Sequence, residues 1–406
     1  MSGLIGKIEQ FKKEREKNKM LKKRDAFYIN YVAEQTGWSK KAAQEKMDEL
    51  KPRGVNYRYY VKRRLWSKEG DKLEKSIASI VKVRESEKKG RKHYIRLVCE
   101  ETGWTPAIAE EKIMHASLYS GCTFRDYYYY HFWDKTTEEQ MKYYTKGVVE
   151  QLLMKYNTNP VEISTLKNKN KFAAKYEDLF HRAWFKNRNL TFEQFLEKVE
   201  GVEDIITKPA LGTHGAGVEK FHIPETVEEK RALYDKIMEM PLSQCEEYIK
   251  QHHEIAEFCD TSVNTVRVVT ILDNDVCHHM YSVIRLGTGG LVDGFDSGGI
   301  FAPVDVETGK TCTEALNLDK EKFPLHPVSQ KPTKDFQIPH WDQILALTEE
   351  AARRLKGTHM VGWDIGVTEN GVCLIEGNSE ANYHFAQLPY VEDGIGTKYK
   401  FEKFLK

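Results

Sequence analysis

No stretch of this 406-residue chain approaches the run of about 18 apolar residues that a bilayer-spanning helix requires. The first twenty residues also lack the long apolar core of a secretory signal. Both absences predict a cytoplasmic protein. Cysteines are few and scattered, seven between Cys99 and Cys373 with no C-x-x-C pair, which argues against a disulfide scaffold or a cysteine zinc framework and predicts reduced thiols. Hydrophobic residues at 40% and charged residues at 30% are ordinary for a soluble globular protein, and the length allows two or three domains with cores of their own.

The small net charge of +1 hides an asymmetry. Residues 1–93 hold 27 Lys and Arg against 13 Asp and Glu, an excess of +14, so the remainder carries −13. A basic end of this size suits an anionic partner such as nucleic acid, an anionic membrane surface or a phosphorylated substrate, or else it is a solvated helical face. The same region contains a duplication. YINYVAEQTGWSKKAAQEKM from Tyr28 aligns with YIRLVCEETGWTPAIAEEKI from Tyr94, and after a one-residue slip Gly54 to Arg58 matches Gly121 to Arg125. Ser39 and Thr105 are equivalent and suit helix N-caps, with Pro106 at the first helical position. These features predict a compact basic helical domain over residues 1–137, with copies at about 25–68 and 91–136, followed by a second domain over 138–406. The aromatic run Tyr127 to Tyr130, with Phe132 and Trp133, is expected to pack between helices rather than to stack bases. The short stripe Leu4, Ile5, Ile8 and Phe11 suits either a membrane-surface helix or a helix docked on protein.

Beyond residue 140 strand and helix signals alternate and most of the glycines appear, which predicts an α/β domain. Residues 204–208, 265–272 and 278–285 read as strands, and Trp341 to Leu355 as an amphipathic helix. Met360 to Val367 and Val372 to Ile375 are strand-like around an Asn-Gly turn. A three-residue loop of Glu369, Asn370 and Gly371, with Gly371 in the left-handed region, would set Asp364 opposite Glu376 and put Asn378 on their face. Two carboxylates and an amide form an oxygen-only donor set, suited to Mg²⁺ carrying phosphates and unsuited to zinc. Upstream, Lys208 ends a strand and Gly212, Gly215 and Gly217 follow, a loop whose backbone N–H groups could close around phosphate. It satisfies neither common phosphate-loop pattern and by itself is as readily a turn.

In sequence order, Lys208 to Val218, Glu246 to Ile249 with Gln251 and His252, Ser262 to Arg267, Asp293 to Gly299, His326 to Ser329, Ile338 to Asp342 and Gly362 to Asn378 resemble the ATP-grasp superfamily. Within it they are most similar to the sugar-transfer associated ATP-grasp family, related to α-L-glutamate ligases. The resemblance covers residues from about 120 to 390. It implies an α/β (α+β) ATP-grasp fold behind the N-terminal all-helical duplicated domain. It also implies ATP and Mg²⁺, with Mn²⁺ as an alternative ion, and an ATP-dependent ligase that joins a carboxylate to an amine through an acyl-phosphate. The small-molecule substrates would be linked to surface-polysaccharide assembly, for example an amino acid and a sugar or uronic acid. A kinase, a peptide-modifying ligase and a nucleic-acid- or membrane-binding protein with a regulatory ATP site are the alternatives. Residue by residue, the resemblance assigns Lys171 and Lys208 to the nucleotide phosphates and the backbone of Glu247, Tyr248 and Ile249, beside Glu246, to adenine. It assigns Glu254 to the ribose, Arg267 and Arg285 to the transferred phosphoryl group, and Asp364, Glu376 and Asn378 to the metal. Where the family has Asp-Asn-Phe this chain has Asp293-Gly294-Phe295, a departure that bears on substrate choice.

Overall fold

The computed structural model describes residues 2–212, 217–294 and 298–406, with the backbone alone for residues 2–13 and 17. The glycine-loop position Gly215, the motif residue Phe295 and the side chains of the Leu4 to Phe11 stripe therefore lie outside the described residues. The chain divides into two compact units, residues 1–147 and 148–406.

The first unit is all helical, and the sequence duplication is a duplication of structure. Helices Ser2–Thr36 and Gly70–Thr102 each end on the Thr-Gly-Trp motif. Thr36 and Thr102 donate their hydroxyls to the carbonyls of Val32 and Val98 and accept the N–H of Trp38 and Trp104, so each threonine closes the last turn and starts the exit. Ser39 and Thr105 then cap Lys40–Asp48 and Pro106–Ser120, and Asn56 and Thr123 cap Tyr57–Lys62 and Phe124–Tyr129. Tyr127, Tyr129, Tyr130 and Phe132 are buried, so most of the aromatic run is core. Residues 138–147 belong with this unit, ten residues beyond the expected boundary. Gly147 donates its N–H to the Gly121 carbonyl at 2.9 Å, and a Cβ on Gly121 would stand 2.8 Å from the Gly147 backbone, so only glycines allow this contact.

The second unit contains two antiparallel sheets. The strands are β1 (Trp184–Lys186), β2 (Asp204–Pro209), β3 (Glu219–His222), β4 (Ser243–Glu247), β5 (Val266–Asp273), β6 (Val276–Leu286), β7 (Ile300–Val304), β8 (Ala315–Leu316), β9 (Lys322–Phe323), β10 (Met360–Thr368) and β11 (Gly371–Asn378). The small sheet runs β1-β4-β2-β3 and the large one β11-β10-β5-β6-β7-β8-β9. Helices Phe192–Lys198 and Val227–Glu239 contribute to a core with Phe185, Ile205 and Cys245 of the small sheet. On the large sheet Val266, Val268, Trp363, Ile365 and Leu374 face the amphipathic helix Trp341–Arg353 and the aromatics Phe172, Tyr176 and Phe180. Strands alternate faces with period two, so Arg267 and Asp364, one residue out of step with that core, emerge on the opposite face.

The β10–β11 hairpin differs from its expectation in mechanism. Thr368 pairs with Gly371, so the loop is the two residues Glu369 and Asn370, and Gly371 sits at φ 139° rather than in the left-handed helical region. Ile365 pairs with Leu374 but Asp364 with Glu376, which leaves Ile375 as a bulge. The bulge supplies the odd residue that the loop does not, and Asp364 still meets Glu376.

Candidate functional site

Arg267 and Asp364 are cross-strand partners on β5 and β10. The guanidinium grips the carboxylate with two bonds, Nε to Oδ1 and Nη2 to Oδ2, both 2.6 Å, and Arg285 Nη2 adds a third to Oδ2 at 3.0 Å. Asp364 is 1% exposed. Burial alone would raise its carboxyl, but Arg267 and then Arg285 outweigh it and hold it below the usual carboxylate range. Arg267 is correspondingly held more firmly protonated than usual despite its own burial. Arg285 also donates to the Thr265 hydroxyl at 2.8 Å, and that hydroxyl donates to Asp293 Oδ2 at 2.5 Å. Buried Asp293 is pushed up by desolvation, which Arg285 only partly offsets. Glu376, half-buried, lies 3.9 Å from Arg267 and accepts an N–H from Asn378 at 3.1 Å.

The second group of charges sits on the small sheet. Lys208 and Glu246, diagonal neighbours on β2 and β4, are in direct contact. Glu246 is 1% exposed and also accepts from Arg182 Nε at 2.7 Å. Its burial is outweighed by Arg182 and Lys208, so it too stays below the usual range. Glu246 is therefore a buried anchor for Lys208. Nothing in the sequence drew attention to Arg182, which also donates to the carbonyls of Phe180 and Leu374 at 2.9 and 2.8 Å.

Lys169 links the two groups. Its Nζ donates to the Gly212 carbonyl at 3.0 Å, and it lies close enough to Glu376, Lys208 and Glu246 for each to act on its charge; burial lowers its pKa, Lys208 adds to that effect and the carboxylates oppose it. Lys171, the lysine expected to contact phosphates, is exposed. Asn168 caps the helix Lys169–Lys175, which brings Lys169 to the inner side and turns Lys171 away. The spacing of lysines in NKNKF could not have chosen between them without the helix start.

Other expected positions divide similarly. The N–H groups of Glu247 and Tyr248 are already bonded to the carbonyls of Ala183 and Asp204, both at 2.9 Å, so reading adenine through these two groups would require them to leave the sheet. Ile249 is buried against Gly366. Glu254 is exposed on the short helix His253–Ala256. Gly212 is exposed, and Gly217 takes φ 73° with no room for a Cβ, which would stand 2.9 Å from Pro209 Cγ. A cavity of 510 Å³ that includes Tyr281, Phe385, Lys400 and Lys403 opens beside the arginine face, and the Phe385 ring lies 6.0 Å from Arg267.

The model of the sugar-transfer associated ATP-grasp family matches residues 150–400. The chain belongs to that family and has its ATP-grasp fold, preceded by a helical region. No curated protein matches. Solved structures similar to it include a carboxyaminoimidazole ribonucleotide synthase from Aspergillus clavatus complexed with ATP, at 10% identity and TM-score 0.36, covering 55% of this chain and 47% of that one. The ATP-grasp ligase PsnB complexed with minimal precursor is similar at 16% identity and TM-score 0.36, covering 62% of each chain. The D-alanine–D-alanine ligase from Bacillus anthracis is similar at 14% identity and TM-score 0.37, covering 66% of this chain and 75% of that one. The chain thus spans about half the length of the synthase. Among the described residues no helix is long and apolar enough to cross a membrane.

Proposed function

We propose that this chain is an ATP-dependent ligase that joins a carboxylate to an amine through an acyl-phosphate. The observation that carries the reading is the place of Lys169 at the start of helix Lys169–Lys175, where Lys208 of the small sheet and Glu376 of the large sheet both act on its charge, so that two lysines from a helix and the small sheet gather near the arginine and carboxylate cluster of the large one. Phosphoryl transfer asks a protein mainly for positioning and for cations where negative charge accumulates.

In the proposed reaction a carboxylate oxygen attacks the γ-phosphorus and ADP leaves with the electron pair of the broken P–O bond. The amine then attacks the acyl carbon, phosphate departs, and the amine proton passes to solvent. Lys169 and Lys208 hold the nucleotide phosphates, Lys208 being oriented by Glu246. Arg267 and Arg285, fixed by Asp364, Thr265 and Asp293, neutralise the γ-phosphoryl group and the incoming carboxylate. Asp364 uses one acceptor site of Oδ1 and two of Oδ2 for the arginines, so Oδ1 keeps a lone pair free for a hard cation, a donor set that fits Mg²⁺ once Glu376 and the Asn378 amide oxygen are added. Bound there, Mg²⁺ or Mn²⁺ would supply charge neutralisation for the phosphates.

The family description supports a sugar-linked substrate, with an amino acid and a sugar or uronic acid as the pair to try first. The test is an ADP-release screen against mixed amino acids and uronic sugars, followed by mass spectrometry. A product formed with loss of water supports the ligase. A phosphorylated product that persists, or no nucleotide turnover with any pair, overturns it.

A further inference from the structure

We propose that His252, His253 and Glu369 form a second cation site, specific for a borderline transition metal such as Zn²⁺ and separate from the oxygen-only site at Asp364 and Glu376. One ligand atom from each residue lies within 4.8 Å of the other two. The pairs are well spaced for coordination: His253 Nδ1 is 3.0 Å from Glu369 Oε1, and His252 Nε2 is 3.7 Å from Glu369 Oε2. Ligands held at about 2.0–2.1 Å in a tetrahedron stand about 3.3 Å apart, between those two values. Two imidazoles and one carboxylate leave a fourth position for water, the donor set that zinc accepts and magnesium does not.

The backbone holds the three residues in place. His252 donates its N–H to the Val367 carbonyl at 2.8 Å, and His253 donates its N–H to Glu369 Oε1 at 2.6 Å. Coordination through His252 Nε2 requires a proton on Nδ1, which now accepts a long 3.3 Å bond from the Glu254 N–H; the Glu254 carboxylate, 3.9 Å away, is the acceptor available to that proton. A third histidine packs against the site. His340 Nε2 is a buried polar atom without a hydrogen-bond partner, and its ring centroid lies 5.6 Å from that of His252. The side chains of His253 and Glu369 are 66% and 54% exposed, so a solvated ion can reach them. Occupancy would tie the β10–β11 turn to the segment carrying Glu254, and the inference stands whether or not the chain proves to be a ligase.

The full-length protein, stripped with chelator, is titrated with Zn²⁺ by calorimetry and with Co²⁺ by visible absorption, without nucleotide. The expected result is one ion per chain and a Co²⁺ spectrum of low coordination number without thiolate charge-transfer bands. His253→Ala and Glu369→Gln should each weaken Zn²⁺ by about 100-fold or more while leaving the circular dichroism of the metal-free protein unchanged. His222→Ala, at the surface pair with Asp204, should bind as the parent does. Substoichiometric binding, equal affinity in the His253 and Glu369 variants, thiolate bands, or displacement of Zn²⁺ by millimolar Mg²⁺ would each overturn the site.

Discussion

Asp364→Asn and Glu376→Gln remove one carboxylate charge each from the same face, yet burial predicts different consequences. Asp364 is the shared anion of two guanidiniums whose side chains are 8% and 14% exposed. Neutralising it strands buried positive charge, at a cost of about 3–5 kcal/mol. For a unit of this size each kcal/mol moves the melting temperature by about 2–4 °C, so Asp364→Asn should melt about 6–20 °C lower. Arg267→Ala belongs with it, because its partner is left buried, and should lower stability as well as turnover. Glu376 is 36% exposed and 3.9 Å from its nearest guanidinium, a pair that solvent screens to less than about 1 kcal/mol. Its replacement should leave the melting temperature within about 4 °C of the parent. Turnover should nevertheless fall by about 10²-fold or more, the usual cost of one electrostatic contact to a transferring phosphoryl group. Differential scanning calorimetry and Mg²⁺-dependent ADP release on the same preparations check both halves. A stable Asp364→Asn would refute the description of the arginine pair as desolvated, and a fully active Glu376→Gln would refute the metal assignment.

Lys169→Ala should raise the KM for ATP at least about tenfold while Lys171→Ala changes it less than about twofold, because only Lys169 faces Lys208; equal effects in steady-state assays would count against the inner position of Lys169. Glu246 and Asp364 both titrate below their usual values, so they contribute stability that is present above the unfolded-state values of 4.5 and 3.8 and is lost as pH falls further toward their folded values. Melting scans from about pH 6 down to about pH 3 should show that loss in the parent and a shallower one in Glu246→Gln. Removing residues 1–147, the whole helical unit, so that the cut does not sever the long helix Gly70–Thr102, should raise the KM for an anionic acceptor at low salt, with the difference shrinking at high salt and ATP affinity unchanged. Identical acceptor kinetics at both salts would make the basic face solvated surface only.

How much of the site is legible in the letters is clearest at the hairpin. Asp364, Glu376 and Asn378 share a face only if an odd number of residues is left out of the ladder between the first two, and the residue types announce that requirement. Where the odd residue goes is not announced, because a three-residue loop would turn Cys373 and Ile375 to the core while the observed two-residue loop turns Val372 and Leu374 there, and both pairs are apolar. Packing decides: the space at Gly366 is shared between Ile249 and the small side chain of Cys373, which is 3% exposed, and Leu374 opposite Ile365 is fully buried. Lys169 and Lys171 pose the same problem on a helix, where residues two apart point about 200° apart and only the cap at Asn168 sets which one faces inward. Arg182 is invisible for a related reason, since its partner Glu246 is 64 residues away. The bulge can be tested by deletion. Removing Ile375 takes out the extra residue while Val372 and Leu374 stay in the core and Glu376 and Asn378 stay with Asp364, so ADP release should fall by less than about tenfold, or about 1.4 kcal/mol. Leu374→Ala instead truncates a fully buried side chain at about 2–5 kcal/mol, and the melting temperature should drop accordingly. If the Ile375 deletion stays folded but loses turnover as completely as Glu376→Gln, then the strand register is not what delivers Glu376 to the phosphates.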